Sequence, residues 1–114
     1  MLKIIPGEIP HPNLHQYLLS GIAPRPIALA STISADGRPN LAPFSFFNVF
    51  GVNPTTLIFS PSNRNRDGST KNTLENLKVI PEVVINVVNF EMVNQASLAS
   101  TDYPAGVDEF VKAG

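Results

Sequence analysis

Cations and hydroxyls crowd into residues 60–73, SPSNRNRDGSTKNT. Arg64, Arg66 and Lys71 stand there among Ser60, Ser62, Ser69, Thr70, Asn72 and Thr73, and Gly68 permits a tight backbone turn. A helix is expected to begin between Ser69 and Asn72, with Asn72 and Glu75 at a capping-box spacing. The first turn of a helix presents free N–H groups and a partial positive charge. Hydroxyls and cations gathered at such an end suit a phosphate. The same residues also suit a solvated loop with an ordinary helix cap, the commoner arrangement. Neither a Walker pattern nor GxGxxG accompanies them.

A second cluster is aromatic. Residues 41–50 read LAPFSFFNVF. As one strand, they put Ala42, Phe44, Phe46, Asn48 and Phe50 on one face, and Leu41, Pro43, Ser45, Phe47 and Val49 on the other. Neither face is a solvent face. Phenylalanines in this density mostly mean core. The functional reading is a flat ligand beside the strand, where Ala42, Pro43 and Ser45 let it approach the backbone. Pro43 would break the ladder, and a bend there would turn N–H groups beside Ser45 toward a ligand. His11 and His15 stand four apart, but zinc normally takes a third protein ligand. Pro12 sets His11 at or before a helix start, so the pair reads as surface or capping residues. Asp102, Asp108 and Glu109 read as solvated charges. No GxSxG or HExxH motif and no nucleophile–base pair is present.

The elements that must position these residues are mostly strands. LKII (residues 2–5) is a short strand candidate, and a helix is expected from about Pro12 to Ile22, with Leu14, Leu18 and Leu19 on its apolar side. RPIALASTIS follows as a strand, ADGR as a hairpin turn, and residues 40–50 as the returning strand. TTLIFSP and EVVINVVNF are further strands, separated by the polar loop and a short helix. A last helix is expected from about Glu91 to Ala99. The pattern is a mainly β domain with peripheral helices, a barrel or sandwich, in a single domain over residues 1–114. With 114 residues, 43% apolar and 15% charged, the chain is globular, and its net charge of -1 gives no sign of a nucleic-acid or acidic-membrane partner. Without cysteine there are no disulfides or thiolate sites, which agrees with a cytoplasmic location. No apolar run is long enough to span a membrane as a helix.

The runs GIAPRPIALASTISADGRPNLAPFSFFNVFGVNP and FSPSNRNRDGSTKNTLENL, then SLAS and YPAGVDEF, together resemble one family. It is the flavin reductase-like, FMN-binding split-barrel family, in the branch that includes flavoredoxin. The resemblance covers residues 21–110. It implies an FMN-binding split β-barrel, a homodimer with FMN near the subunit interface, and flavin-dependent electron transfer with NAD(P)H as donor. It also implies that Pro43, Phe44, Ser45, Phe46 and Phe47 lie against the flavin ring, and that Ser60, Ser62, Arg64, Lys71, Asn72 and Thr73 hold its phosphate. Family members commonly carry Asp at the position of Asn72, and their domains run on past YPAGVDEF with strands that complete the barrel. The chain is therefore expected to correspond to the N-terminal part of such a domain. Rival readings are a pyridoxamine phosphate oxidase-like domain, a non-catalytic remnant that only dimerises, and a small barrel binding single-stranded nucleic acid. The APFSFF run argues against the first of these and the near-neutral charge against the last.

Overall fold

A computed structural model of the chain describes residues 1–62, 68–104 and 106–114. Strands β1 (Ala28–Ile33) and β2 (Pro39–Phe44) form an antiparallel hairpin. Its turn is the expected ADGR: Gly37 has φ +81°, a conformation natural to glycine, and its N–H donates to the Ser34 carbonyl at 2.9 Å. Strand β5 (Val84–Val87) pairs antiparallel with the other edge of β1, giving the order β2-β1-β5. Strands β3 (Phe47–Val52) and β4 (Thr55–Phe59) form a separate two-stranded sheet. Among the described residues the two sheets do not close into a barrel. The Cα radius of gyration, 15.4 Å, exceeds the about 13 Å of a compact 100-residue domain.

Residues 40–50 are therefore not one strand. The chain bends at Ser45 and Phe46 and changes sheet there. The bend resets the alternation, so that Phe44 and Phe47 are both buried although a straight strand would put them on opposite faces; Leu41 and Phe44, on opposite faces of β2, are both buried because β2 is covered on both sides. Pro43 does not cause it, because Pro43 keeps its register opposite Leu29. Leu41 turns its N–H away from β1, toward the Glu109 carboxylate. Pro39 and Pro43 share the parity of Leu41, so at each the missing N–H falls on the open edge of β2, where proline is tolerated.

Helix α1 (His11–Gly21) precedes β1, and α2 (Asn72–Val79) crosses between β4 and β5. A short 3-10 turn, Phe90–Met92, leads into α3 (Val93–Ala99), and α4 (Glu109–Ala113) follows. Two expectations fail at the chain ends. Residues 2–5 form no strand, and Leu2 and Ile5 are exposed; an apolar run makes a strand only where a partner completes its hydrogen bonds. Asp108 and Glu109, expected as solvated charges, open α4 instead: the Asp108 carboxylate accepts from the Phe110 N–H at 2.9 Å. The core is small. Leu29 and Leu41 meet Ala99 of α3, with Val88, Met92 and Ala113 around them. Many apolar side chains lie outside it, among them Val52 at 87% and Phe90 at 93% exposure.

Candidate functional site

The open edge of β2 is one wall of a cavity of about 840 Å³. Asn40, Leu41, Ala42, Pro43 and Phe44 line it in succession, followed by Ser45 and Phe46 at the bend. The start of α2 contributes Lys71, Asn72 and Thr73, and the end of β4 leads to Ser60 and Ser62. His15 and Leu19 close one side from α1. Opposite elements supply Ala99 at the end of α3, the stretch from Ser100 to Pro104, and Glu109 at the start of α4. The volume lies in the range of small-ligand sites, and polar groups make up about half of the lining, more than such sites commonly carry.

The aromatic end is held by ring contacts. Phe44 and Phe59 have centroids 5.2 Å apart and tie the two sheets across the bend. Phe46 meets His15 edge-on at 5.8 Å, and the Arg25 guanidinium lies 5.7 Å from the Phe46 centroid. Arg25 also donates to the carbonyls of Leu19, at 2.8 Å, and Ile22, fastening the last turn of α1. The polar end is held by α2. Its N-cap is Lys71, one residue before the expected Asn72. Glu75 does not complete a capping box with Asn72; its carboxylate accepts from the Thr70 hydroxyl at 2.5 Å and from the Lys78 ammonium at 3.0 Å. Those contacts, Thr70 first and Lys78 next, hold the Glu75 carboxyl below the usual carboxylate range. The Lys71 ammonium lies 5.1 Å from the centroid of Phe44, so the cationic and aromatic ends adjoin.

Of the site residues expected from sequence, Pro43, Phe44, Ser45, Phe46, Ser60, Ser62, Lys71, Asn72 and Thr73 open onto this one cavity. Phe47 is buried beyond the bend, paired in register with Phe59, and is not among the lining residues. Arg64 lies outside the described residues, as does Arg66. Thr73 is 1% exposed, and its hydroxyl oxygen accepts from the Asn40 side-chain amide at 3.0 Å, so it anchors α2 as well as lining the cavity. Sequence reasoning missed His15, Leu19 and Glu109. His15 and Leu19 are four apart on one helix face, which was a usable signal. Glu109 reaches the β2 edge, 3.5 Å from the Leu41 N–H, through a five-residue helix too short to leave a periodic pattern. Among the described residues no group of three or more His, Cys, Asp or Glu could hold a metal, and no helix is long and apolar enough to cross a membrane.

An uncharacterised protein of Aquifex aeolicus is 39% identical over 113 residues, covering 99% of this chain and 57% of that one. The chain spans about half the length of the curated relatives it matches. The crystal structure of nitrilotriacetate monooxygenase component B from Bacillus cereus superposes with a TM-score of 0.88 at 27% identity, covering 99% of this chain and 55% of that chain. Flavoredoxin of Desulfovibrio vulgaris (Miyazaki F) shares the fold, with a TM-score of 0.65 at 20% identity over 79% of this chain and 46% of that one. Residues 20–114 match the family described as flavin reductase like domain.

Proposed function

The chain belongs to the flavin reductase-like domain family, and from that premise we propose that it binds FMN as part of a flavin-dependent electron-transfer protein with NAD(P)H as donor. The observation that carries the reading is the meeting of two unlike ends in one cavity. Pro43, Ser45 and Phe46, backed by the buried Phe44, offer a surface for a flat ring, and Lys71 with the first turn of α2 offers a seat for an anion. FMN, a planar ring system joined to a phosphate, matches that pairing. Riboflavin matches only half of it.

When bound, FMN supplies reversible electron-carrying chemistry, and the protein supplies position and electrostatics. In this reading Phe46 contacts the ring with Phe44 behind it, and the small side chains of Ala42 and Ser45 let it approach β2. Lys71 and the Asn72 end of α2 hold the phosphate, with Ser60 and Ser62 beside them. Arg64 is proposed as a further phosphate ligand. Glu109 and Asp102 put carboxylates in the same cavity; they favour seating the phosphate toward Lys71 and away from them. A homodimer and a cytoplasmic location, where NAD(P)H is at hand, complete the proposal.

The test compares FMN with riboflavin by quenching of flavin fluorescence. Lys71→Ala is expected to weaken FMN by about 1.5–3 kcal/mol, about 10- to 100-fold, if it removes a charge-assisted bond. Riboflavin affinity should hardly change. Equal losses for both ligands would overturn the phosphate assignment.

A further inference from the structure

We propose that a clasp of four polar side chains sets where the start of α2 stands over the cavity, so that Thr32 and Asn76 are positioning residues for anion selectivity although Thr32 lines no part of the cavity. The proposal rests on the phosphate seat described above.

Thr32 and Asn40 face each other in the β1–β2 register and point to the same side of the sheet. Thr73 and Asn76 stand three apart on α2, hence on one helix face. The two pairs interlock. Asn40 Nδ2 donates to Thr73 Oγ1 at 3.0 Å, and Asn76 Nδ2 donates to Thr32 Oγ1 at 3.1 Å. Thr32, Asn40 and Thr73 are buried, at 6%, 7% and 1% exposure. Within α2, Thr73 is the one fully buried residue, and its leucines, Leu74 and Leu77, are only partly buried. An apolar contact would let the helix slide or turn with little penalty. Two directional hydrogen bonds at fixed spacing do not, and leaving a buried amide unmade is unfavourable. The position of Lys71 and of the first turn of α2 is thus referred to the β1–β2 hairpin. Thr32 and Asn76 act on a ligand through that placement alone.

The test measures FMN and riboflavin dissociation constants by fluorescence quenching in wild type, Thr32→Val, Thr32→Ser and Asn76→Leu. Thr32→Val is isosteric but cannot accept the bond. It should weaken FMN about five- to tenfold, the range expected for one hydrogen bond, and leave riboflavin within about twofold. Thr32→Ser keeps the oxygen and should restore the wild-type ratio of the two constants. Asn76→Leu removes the donor and should repeat the Thr32→Val result, and the double variant Thr32→Val/Asn76→Leu should lose no more than either alone, because all three lack the same bond. If Thr32→Val proves too unstable to purify, Asn76→Leu carries the comparison. An unchanged ratio in a folded variant, or parallel loss of both ligands, would show that the clasp serves stability only and would overturn the inference while the phosphate seat stands. If wild type does not prefer FMN, the phosphate seat fails and this inference with it.

Discussion

Thr70, Glu75 and Lys78 form a small network beside the cavity's polar end. The Glu75 carboxyl is held low first by the Thr70 hydroxyl and then by the Lys78 ammonium. A carboxyl lowered in the folded state adds stability above its ordinary range, and that contribution is lost as pH falls through the lowered value. The group is exposed, so its interest is geometric: it fastens Thr70, and with it the approach to Lys71, onto the first turn of α2. Thr70→Val should raise the Glu75 titration midpoint toward the ordinary carboxylate range, and by more than Lys78→Met does, in a carboxyl-detected NMR titration. A larger rise from the lysine variant would reverse the order of causes. The i,i+3 spacing of Glu75 and Lys78 was there to be read; the Thr70 contact was not. Asn72 and Glu75 had the spacing of a capping box, and only the backbone start at Lys71 diverts Glu75 to Thr70.

At the scale of elements, what was legible depended on whether the signal was local. The ADGR hairpin needed one glycine at positive φ and was there to be read. The start of α2 was legible to within a residue, because the loop before it is polar and the leucines after it are spaced for a helix. The division of residues 40–50 into β2 and β3 was not, since apolar residues occupy both faces on either side of the bend and the bend is fixed by contacts made elsewhere. Ser60 donates its N–H to the Phe46 carbonyl at 2.9 Å, and Phe59 packs on Phe44. Strand β3 carries a second constraint. A Cβ placed on Gly51 would lie 2.9 Å from the Pro54 carbonyl oxygen and 3.3 Å from Thr56 Oγ1, where the β3–β4 ladder is irregular between Val49 and Gly51. Gly51→Ala should lower stability by about 1–3 kcal/mol, as overpacking typically does, read from the midpoint of urea denaturation. An unchanged midpoint would mean that the turn yields without strain.

For the whole molecule, the sequence disclosed how apolar the strands are, but not which faces stay uncovered. Sheet β3–β4 exposes Val49, Phe50, Val52, Leu57 and Ile58, and β5 exposes Val84 and Val87 beside an open edge. Exposed apolar ribbons and open edges favour pairing with another chain. The chain is therefore expected to self-associate, eluting in size-exclusion chromatography ahead of its monomer mass of 12.3 kDa. Phe50→Lys should shift the elution toward monomer. A wild-type chain that elutes as a monodisperse monomer would count against both this surface and the proposed homodimer.

The cavity is walled by stretches as far apart in sequence as His15 and Glu109, and the sheet beneath it pairs Ala28 with Val87. Such contacts form only after long loops have closed. No partly folded chain holding just one of these stretches can present the site, so a molecule that settles there selects the folded state alone. Its occupancy then acts as a concentration-dependent brace: at a hundred times its dissociation constant a ligand adds about 2.7 kcal/mol to the folded state by mass action. For a chain whose buried apolar residues, among those described, are four alanines beside Leu29, Leu41, Phe44 and Phe47, a molecule bound there would add to what holds the structure together.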